Sequence, residues 1–500
     1  MNLKKALCGL LAGICLAAHG SAFSAGAAVV QTPIGYRGDI NADDAVTMSD
    51  ILLLARYLIN EDAAAVPADR AQFADMDADN QLDVFDLARM ARVVGGYAET
   101  EMIYVETEVE EALIDAPVSV VNPTVLSKGT NHLLMFVVEF PDCKFRQSYT
   151  AEQIKAISFG AEDTSSPYYP LESVIGYYDR ASYGALNMDA DVFTYTASNS
   201  ISTYTNHTDL LVEEIMAAFD QQLDYNNYDV NSDGTMDTIL LSVADNAPDD
   251  GWWPCSGGYY GSQTFDGVRA GNVILGNTSP TDTAVYNNTW IHELGHAMGL
   301  PDYYKYENTE DGWFGLNGAA GTEMMDDAYG DMCAFSKLMY GWYTPSQVQV
   351  YTGGTQTFTL ESSQTAANCI LIPRGDLNGY LSEYMMLEYA TDAGNNTGLV
   401  GQGGIRVLHC EATVTEGYWG PEFKWNNYGM YYDSSNTRQR VLRLANESEG
   451  GDFFVSGSVI NNDISGFRWY DDSGYQTVDT GITVTVGALT DGRYTVTISQ

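Results

Sequence analysis

One pattern occurs twice near the start of the chain and limits how that region can fold. Asp39-Ile-Asn41-Ala-Asp43 is followed by Thr47 and Asp50, and Asp75-Met-Asp77-Ala-Asp79 by Asp83 and Asp86. Oxygen-bearing side chains fall at loop positions 1, 3, 5, 9 and 12 of each copy. A hard cation such as calcium takes about six to eight oxygens at short range, and this spacing wraps them around one ion. Each copy then enters an apolar run at helical spacing: Ile51 to Leu54 with Tyr57 and Leu58, and Leu87 with Met90, Val93 and Val94. The expectation is a calcium loop plus a helix, made twice. Position 6 of such a loop calls for a left-handed residue. Asp44 and Asn80 stand there, and both side chains tolerate that conformation better than most.

The chain has 500 residues, too many for one compact core, so two or three domains are expected. Asp plus Glu number 67 against 23 Lys plus Arg, a formal net charge of -44. Phosphate backbones and anionic membranes need clustered cations, so neither is expected as a partner. A hydrophobic fraction of 45% is enough to build packed cores. Lys4 and Lys5, the apolar run Ala6 to Ala18 and the small residues from Gly20 to Ala28 have the order of a secretory signal peptide, assigned to 1–27. No later stretch is apolar for long enough to span a membrane. The protein is therefore expected to be secreted. Cys8 and Cys15 would leave with the leader. The five others (Cys143, Cys255, Cys333, Cys369 and Cys410) are odd in number and widely spaced, unlike a disulfide scaffold or a thiolate zinc site.

The duplicated segment, 36–96, resembles a type I dockerin. That resemblance implies a small all-α module with two calcium ions and a cohesin module of a scaffold protein as partner. Carried over, the contact residues are Met48 and Ser49 in the first half and Val84 and Phe85 in the second, with Arg56 and Arg92 at matching helix positions. The halves differ, so two equivalent binding orientations are not expected. Residues 97–130 are acidic and then Pro/Val-rich, and read as a tether, with room for a strand or a latency segment.

Trp290-Ile-His292-Glu293-Leu-Gly-His296-Ala-Met-Gly299-Leu-Pro-Asp302 carries the chemistry. Histidines four apart share one face of a helix and can hold one zinc, with Glu293 aimed at the water that the metal activates. Gly299 permits a sharp turn, and Asp302 follows at a distance that lets a third ligand return. Glu307, Glu310 or Glu323 would replace Asp302 in a thermolysin-like arrangement. The longer pattern HExxHxxGxxD resembles the metzincin metallopeptidases and, more narrowly, the secreted immune inhibitor A-type peptidases. Leu133 to Asp142, Tyr177 to Gly184 and Asp331 to Trp342 resemble further segments of that family. The resemblance implies an α/β zinc peptidase over 131–345, with His292, His296 and Asp302 on the metal. It also implies Glu293 as general base and a methionine turn at Gly321 to Asp326, assigned to Met325. Tyr303, Tyr304 and Tyr329 are candidates for oxyanion stabilisation.

Asp229-Val-Asn231-Ser-Asp233-Gly234-Thr-Met-Asp237 is a third acidic loop with calcium spacing. From about 346 the chain alternates apolar and polar residues between Gly, Asn and Asp clusters, which reads as an antiparallel β-sandwich over 346–500. The whole is expected to be a multidomain secreted zinc endopeptidase, carried by its dockerin into a cell-surface or free multienzyme complex. The competing reading is a catalytically idle, calcium-stabilised binding subunit of the same complex.

Overall fold

The computed structural model describes residues 27–500 apart from 61, 63, 249–250, 305–307, 310–311, 314–321, 327–328, 419, 426–439, 447–452 and 472–476. Residues 1–26 of the expected leader, Glu307, Glu310 and Gly321 lie outside the described residues. The described chain forms two compact units, divided between residues 111 and 112.

In the first unit, Thr47 caps the helix Met48–Leu58 and Asp83 caps the helix Val84–Val94. In each case the position-12 acid, Asp50 or Asp86, accepts from the cap's own backbone N–H, which completes a capping box. These acids also reach the loop's start. Asp50 accepts from Ile40 N at 2.9 Å, and Asp86 from Met76 N at 2.7 Å. One carboxylate thus closes each loop onto its helix. Ile40, Leu54, Val66, Ala74 and Met90 make a small core between the helices. The strand Ala27–Tyr36 pairs antiparallel with Met102–Glu110 on either side of the repeat.

The segment read as a tether is therefore divided between two bodies. Its acidic half supplies a strand to the first unit. Its Pro/Val-rich half is built into the second, where Val118 and Val125 are fully buried and the N–H groups of Thr124 and Val125 donate to Ala297 O. The reason is that the valines carry apolar surface a solvated tether would leave in water.

The second unit is mixed α/β. Its main sheet has the order Leu186–Thr196, Gly129–Glu139, Ile239–Val243, Asn272–Gly276, Cys255–Gly258. The first four strands are parallel, and the last joins as an antiparallel edge. The strand Ile239–Val243 is buried along its whole length, as expected for a parallel strand covered on both faces.

Beyond residue 346 two larger sheets occur, beside two two-stranded ones. One orders Val348–Val350, Cys369–Pro373, Glu383–Ala390, Gly404–Glu411 and Leu442–Leu444; the other orders Thr355–Leu360, Arg493–Ser499, Thr483–Thr490 and Val459–Ile460. Their pairs are antiparallel except the first, Val348–Val350 with Cys369–Pro373, which is parallel. The strands Glu383–Ala390 and Gly404–Glu411 are buried at every position. Leu371, Tyr384, Met386 and Leu408 join the core of the α/β body, whereas Ile372, Met385, Leu387 and Val407 join a second core with the other sheet. Alternate side chains of one sheet thus fill two different cores.

His132 bridges the sheet's rim. Its Nδ1 meets Asp189 and its Nε2 lies 3.0 Å from Asp191, both on the neighbouring strand. Burial pulls the imidazole's pKa down, but the two carboxylates outweigh it and hold it above the usual value. A raised folded-state pKa stabilises fully below the unfolded pKa of about 6.5 and is lost as pH rises through the folded value. Stability of the second unit is expected to decline as pH rises above about 6.5. In His132→Gln that slope should flatten, as read by chemical denaturation across pH.

Candidate active site and cation loops

The helix Thr283–Ala297 starts at Asp282, whose side chain accepts from Val285 N. It is fixed from several sides. Asn287 donates to Ile157 O and Leu171 O, Tyr178 OH donates to Ile291 O at 2.6 Å, and Tyr340 OH donates to Gly295 O at 2.8 Å. Trp290 is fully buried. The helix ends at Met298, and Gly299 takes φ +110, where an L side chain is strained. A Cβ there would also lie 2.6 Å from Val118. That turn sends the chain back so that Asp302 faces the helix it has just left.

His292, His296 and Asp302 converge, with one ligand atom from each lying within 4.8 Å of the others. Asp302 Oδ1 is 3.0 Å from His292 Nε2 and 3.2 Å from His296 Nε2. The edge of a tetrahedron of ligands around zinc is roughly 3.3 Å, given bonds near 2.0–2.1 Å, so the three donors fit such an ion with a fourth position open. The other ring nitrogen of each histidine has a backbone partner. Nδ1 of His292 donates to Met324 O and Nδ1 of His296 to Leu300 O, both at 2.8 Å. These bonds leave the Nε2 lone pairs to the cluster. Burial lowers both imidazole pKa values, but Asp302 more than compensates, and His296 is pushed up to about 9. Asp302 is held well below the usual carboxylate range: burial would raise it, and the charge of His296 and the bond from His292 prevail.

Glu293 is also buried, on the same helix. Burial pushes its carboxyl above the usual range, while the two histidines and the Ser256 N–H of the sheet's edge strand pull the other way. A carboxylate poised above its solution pKa is suited to exchanging a proton.

Glu323 is not a free ligand. It is fully buried, and its carboxylate accepts from Met325 N, Cys333 N and Ser336 Oγ. Met325 is buried beneath the helix, where a Cβ on Gly295 would lie 2.3 Å from its sulfur. Tyr303 is turned inward, its hydroxyl 2.9 Å from Ser336 Oγ, whereas the Tyr304 ring stacks against His292 at 6.3 Å. Tyr329 is exposed. Sequence reasoning missed the orienting carbonyls of Met324 and Leu300, because a backbone acceptor has no residue-type signal.

The three acidic loops share one hydrogen-bond pattern. Asp43 N donates to Asp39 and Asn41, Asp44 N to Asp39, and Ala45 N to Asp43. Asp79 N and Asn80 N donate to Asp75, and Gln81 N to Asp79. In the third loop Asp233 N donates to Asp229 and Asn231, Gly234 N to Asp229, and Thr235 N to Asp233. Left-handed residues also recur: Ala42 and Asp44, Ala78 and Asn80, Ser232 and Gly234. Asp75, Asp77 and Asp86 bring ligand atoms within 4.8 Å of one another. Asp237 stands out. It is buried, and neither carboxylate oxygen makes a hydrogen bond of normal geometry, the Val230 N–H being the nearby donor. Met48, Val84 and Phe85 are exposed by 59%, 66% and 67%, far beyond what apolar side chains of a self-contained module need. Ser49 is exposed beside them.

Comparison with known proteins gives two family matches. Residues 37–94 match the dockerin type I domain, and residues 258–324 match peptidase M66. The second match names peptidase M66 rather than the immune inhibitor A-type peptidases that the motif resembles. No curated protein matches the chain. Among solved structures, wild-type OgpA from Akkermansia muciniphila is similar at 14% identity, over 60% of this chain and 95% of that one, with a TM-score of 0.23. A catalytically inactive OgpA in complex with an O-glycopeptide substrate is similar at 12% identity, over 60% and 94%, with a TM-score of 0.22. Scores this low establish no common fold. The chain thus joins a segment that matches the dockerin type I domain to a segment, matching peptidase M66, that contains the HExxH helix.

Proposed function

We propose that the protein is a secreted zinc endopeptidase, attached through its dockerin to a cohesin-bearing scaffold. The observation that carries this reading is the convergence of His292, His296 and Asp302 around one position, with Glu293 on the same helix. His292, His296 and Asp302 would hold the zinc, and Met325 would pack beneath it as the methionine turn. Zinc, when bound, supplies Lewis acidity toward water and the scissile carbonyl. Glu293 takes a proton from the attacking water at its carboxylate and passes it to the leaving amine nitrogen. The α/β body with its HExxHxxGxxD motif is read as metzincin-like and close to the immune inhibitor A type, and the two larger sheets beyond 346 as a sandwich. Among the described residues no helix is long and apolar enough to cross a membrane. The dockerin match supports export by the leader at 1–27.

Casein digestion by the full chain, beside Glu293→Ala, tests the chemistry. The variant should retain zinc and lose at least about a hundredfold in kcat, the scale of a lost general base. A wild type that holds zinc and cuts nothing would instead favour the idle binding subunit.

Asp39, Asn41, Asp43, Thr47 and Asp50, and Asp75, Asp77, Asp79, Asp83 and Asp86, are assigned to two calcium ions of the dockerin. Met48, Ser49, Val84 and Phe85 are assigned to the cohesin contact. Each fully buried aromatic or aliphatic anchor is worth about 1.5–3 kcal/mol, so Val84→Ala with Phe85→Ala should weaken cohesin binding at least about tenfold. Calorimetry against a panel of type I cohesins checks this. Met48→Ala with Ser49→Ala should give an unequal loss, because the two faces differ in apolar area.

Asp229, Asn231, Asp233 and Asp237 are assigned to a third calcium. Burial raises the Asp237 carboxyl to about 7, and an ion would replace the missing partners of its oxygens. Asp237→Asn should bind one calcium fewer per chain and should be more stable than the parent in chelator, since a buried unpaired carboxyl is removed. Unchanged calcium stoichiometry by metal analysis would refute the assignment.

A further inference from the structure

The two histidines are oriented by different means. His296 Nδ1 uses Leu300 O, four residues away on the same turn. His292 Nδ1 uses Met324 O, 32 residues further along the chain, in a segment with neither helix nor strand. Something must keep that carbonyl still, because a ligand whose second nitrogen is loosely held presents its first nitrogen loosely too.

The segment is strapped at both ends by the sheet beyond residue 346. Glu388 and Arg406 stand directly opposite each other on adjacent strands. Their alternation with Met386 and Leu408 puts them on the face that packs against the α/β body. Both are essentially inaccessible, and Arg406 Nε donates to Glu388 Oε1 at 2.7 Å. Arg406 then donates to Thr322 Oγ1 at 2.9 Å and to Thr322 O at 3.3 Å. The other oxygen of Glu388 accepts from Ala334 N at 3.0 Å. Between these two anchors Glu323 ties Met325 N to Cys333 N and Ser336 Oγ. The buried pair therefore grips the chain two residues before Met324 and ten residues after it.

We propose that Arg406 and Glu388 are positioning residues for His292, so that the sheet beyond 346 is part of the metal site's support. The inference rests on the zinc reading above. A buried ion pair is often replaceable by apolar side chains without loss of stability, so geometry accounts better for its place here than stability does. The pair reaches His292 through Thr322 and Met324, whereas the acceptor of His296 Nδ1 is local.

The test uses the full chain as Arg406→Met, Arg406→Lys and Thr322→Val, each loaded with zinc or cobalt. A group hydrogen-bonded directly to a metal ligand changes metal affinity by about 10–100-fold, and Arg406 acts on such a group, the Met324 carbonyl, through Thr322. Arg406→Met should weaken zinc at least about tenfold in chelator competition, alter the cobalt visible spectrum, and lower kcat with KM nearly unchanged. Arg406→Lys should restore part of the affinity, because it keeps the charge but cannot make the forked contact with Thr322. Thr322→Val keeps the ion pair and nearly the same shape, and should give a smaller loss in the same direction. It decides the matter if Arg406→Met does not fold. Folded variants with the wild-type zinc affinity and cobalt spectrum would overturn the proposal. A wild type that takes up neither metal overturns the zinc reading instead, and is recognised before any variant is compared.

Discussion

A helix can set two imidazoles on one face, but it cannot choose which nitrogen each one presents. That choice is made by hydrogen bonds from Nδ1 to the carbonyls of Met324 and Leu300, and the cluster of His292, His296 and Asp302 depends on it. Leu300 is available because Gly299 turns the chain through a left-handed conformation. The same turn returns Asp302 to the helix. Met324 is available only because a remote segment has been folded beneath the helix and tied there. One local and one long-range constraint thus define a single site.

The long-range constraint has a structural cost. Strands Glu383–Ala390 and Gly404–Glu411 are buried on both faces, and Glu388 and Arg406 are charges inside that layer. Removing one partner of such a pair typically costs about 3–5 kcal/mol, comparable to much of a domain's net stability. The α/β body and the sheet next to it therefore gain or lose their order together. Lys337 makes a second buried bridge of the same kind, with Asp331 at 2.7 Å and with Tyr183 OH and Ser363 O.

The acidic composition has a structural counterpart in the loops. Three separate segments fold carboxylates inward using the same backbone donors, two of them in the dockerin and one beside the main sheet. In the dockerin the position-9 residue doubles as a helix cap, so it is satisfied by backbone N–H groups. In the third loop a strand follows instead of a helix, and Asp237 has no helix N-terminus to cap. One sequence pattern therefore leaves a different electrostatic demand in two settings.

The motif residues and the loop residues were legible because their signals are local. Spacing on one helix brings His292 and His296 together, and spacing within one loop brings Asp39 and Asp43 together, whatever surrounds them. The alternation seen from 346 onward does not announce that both faces of strands Cys369–Pro373 and Glu383–Ala390 are covered. The stretch 97–130 was read by composition as a tether, yet Val118 and Val125 had a partner surface that no local pattern announces. The same holds for Glu323 and Arg406. As letters, one was a candidate ligand and the other an unremarked strand residue. The sequence by itself determined which side chains come together on one helix face or within one loop, because that follows from short spacing. Only the tertiary structure decided which carbonyl orients His292 and which buried charges hold that carbonyl, because those contacts join residues far apart in the chain.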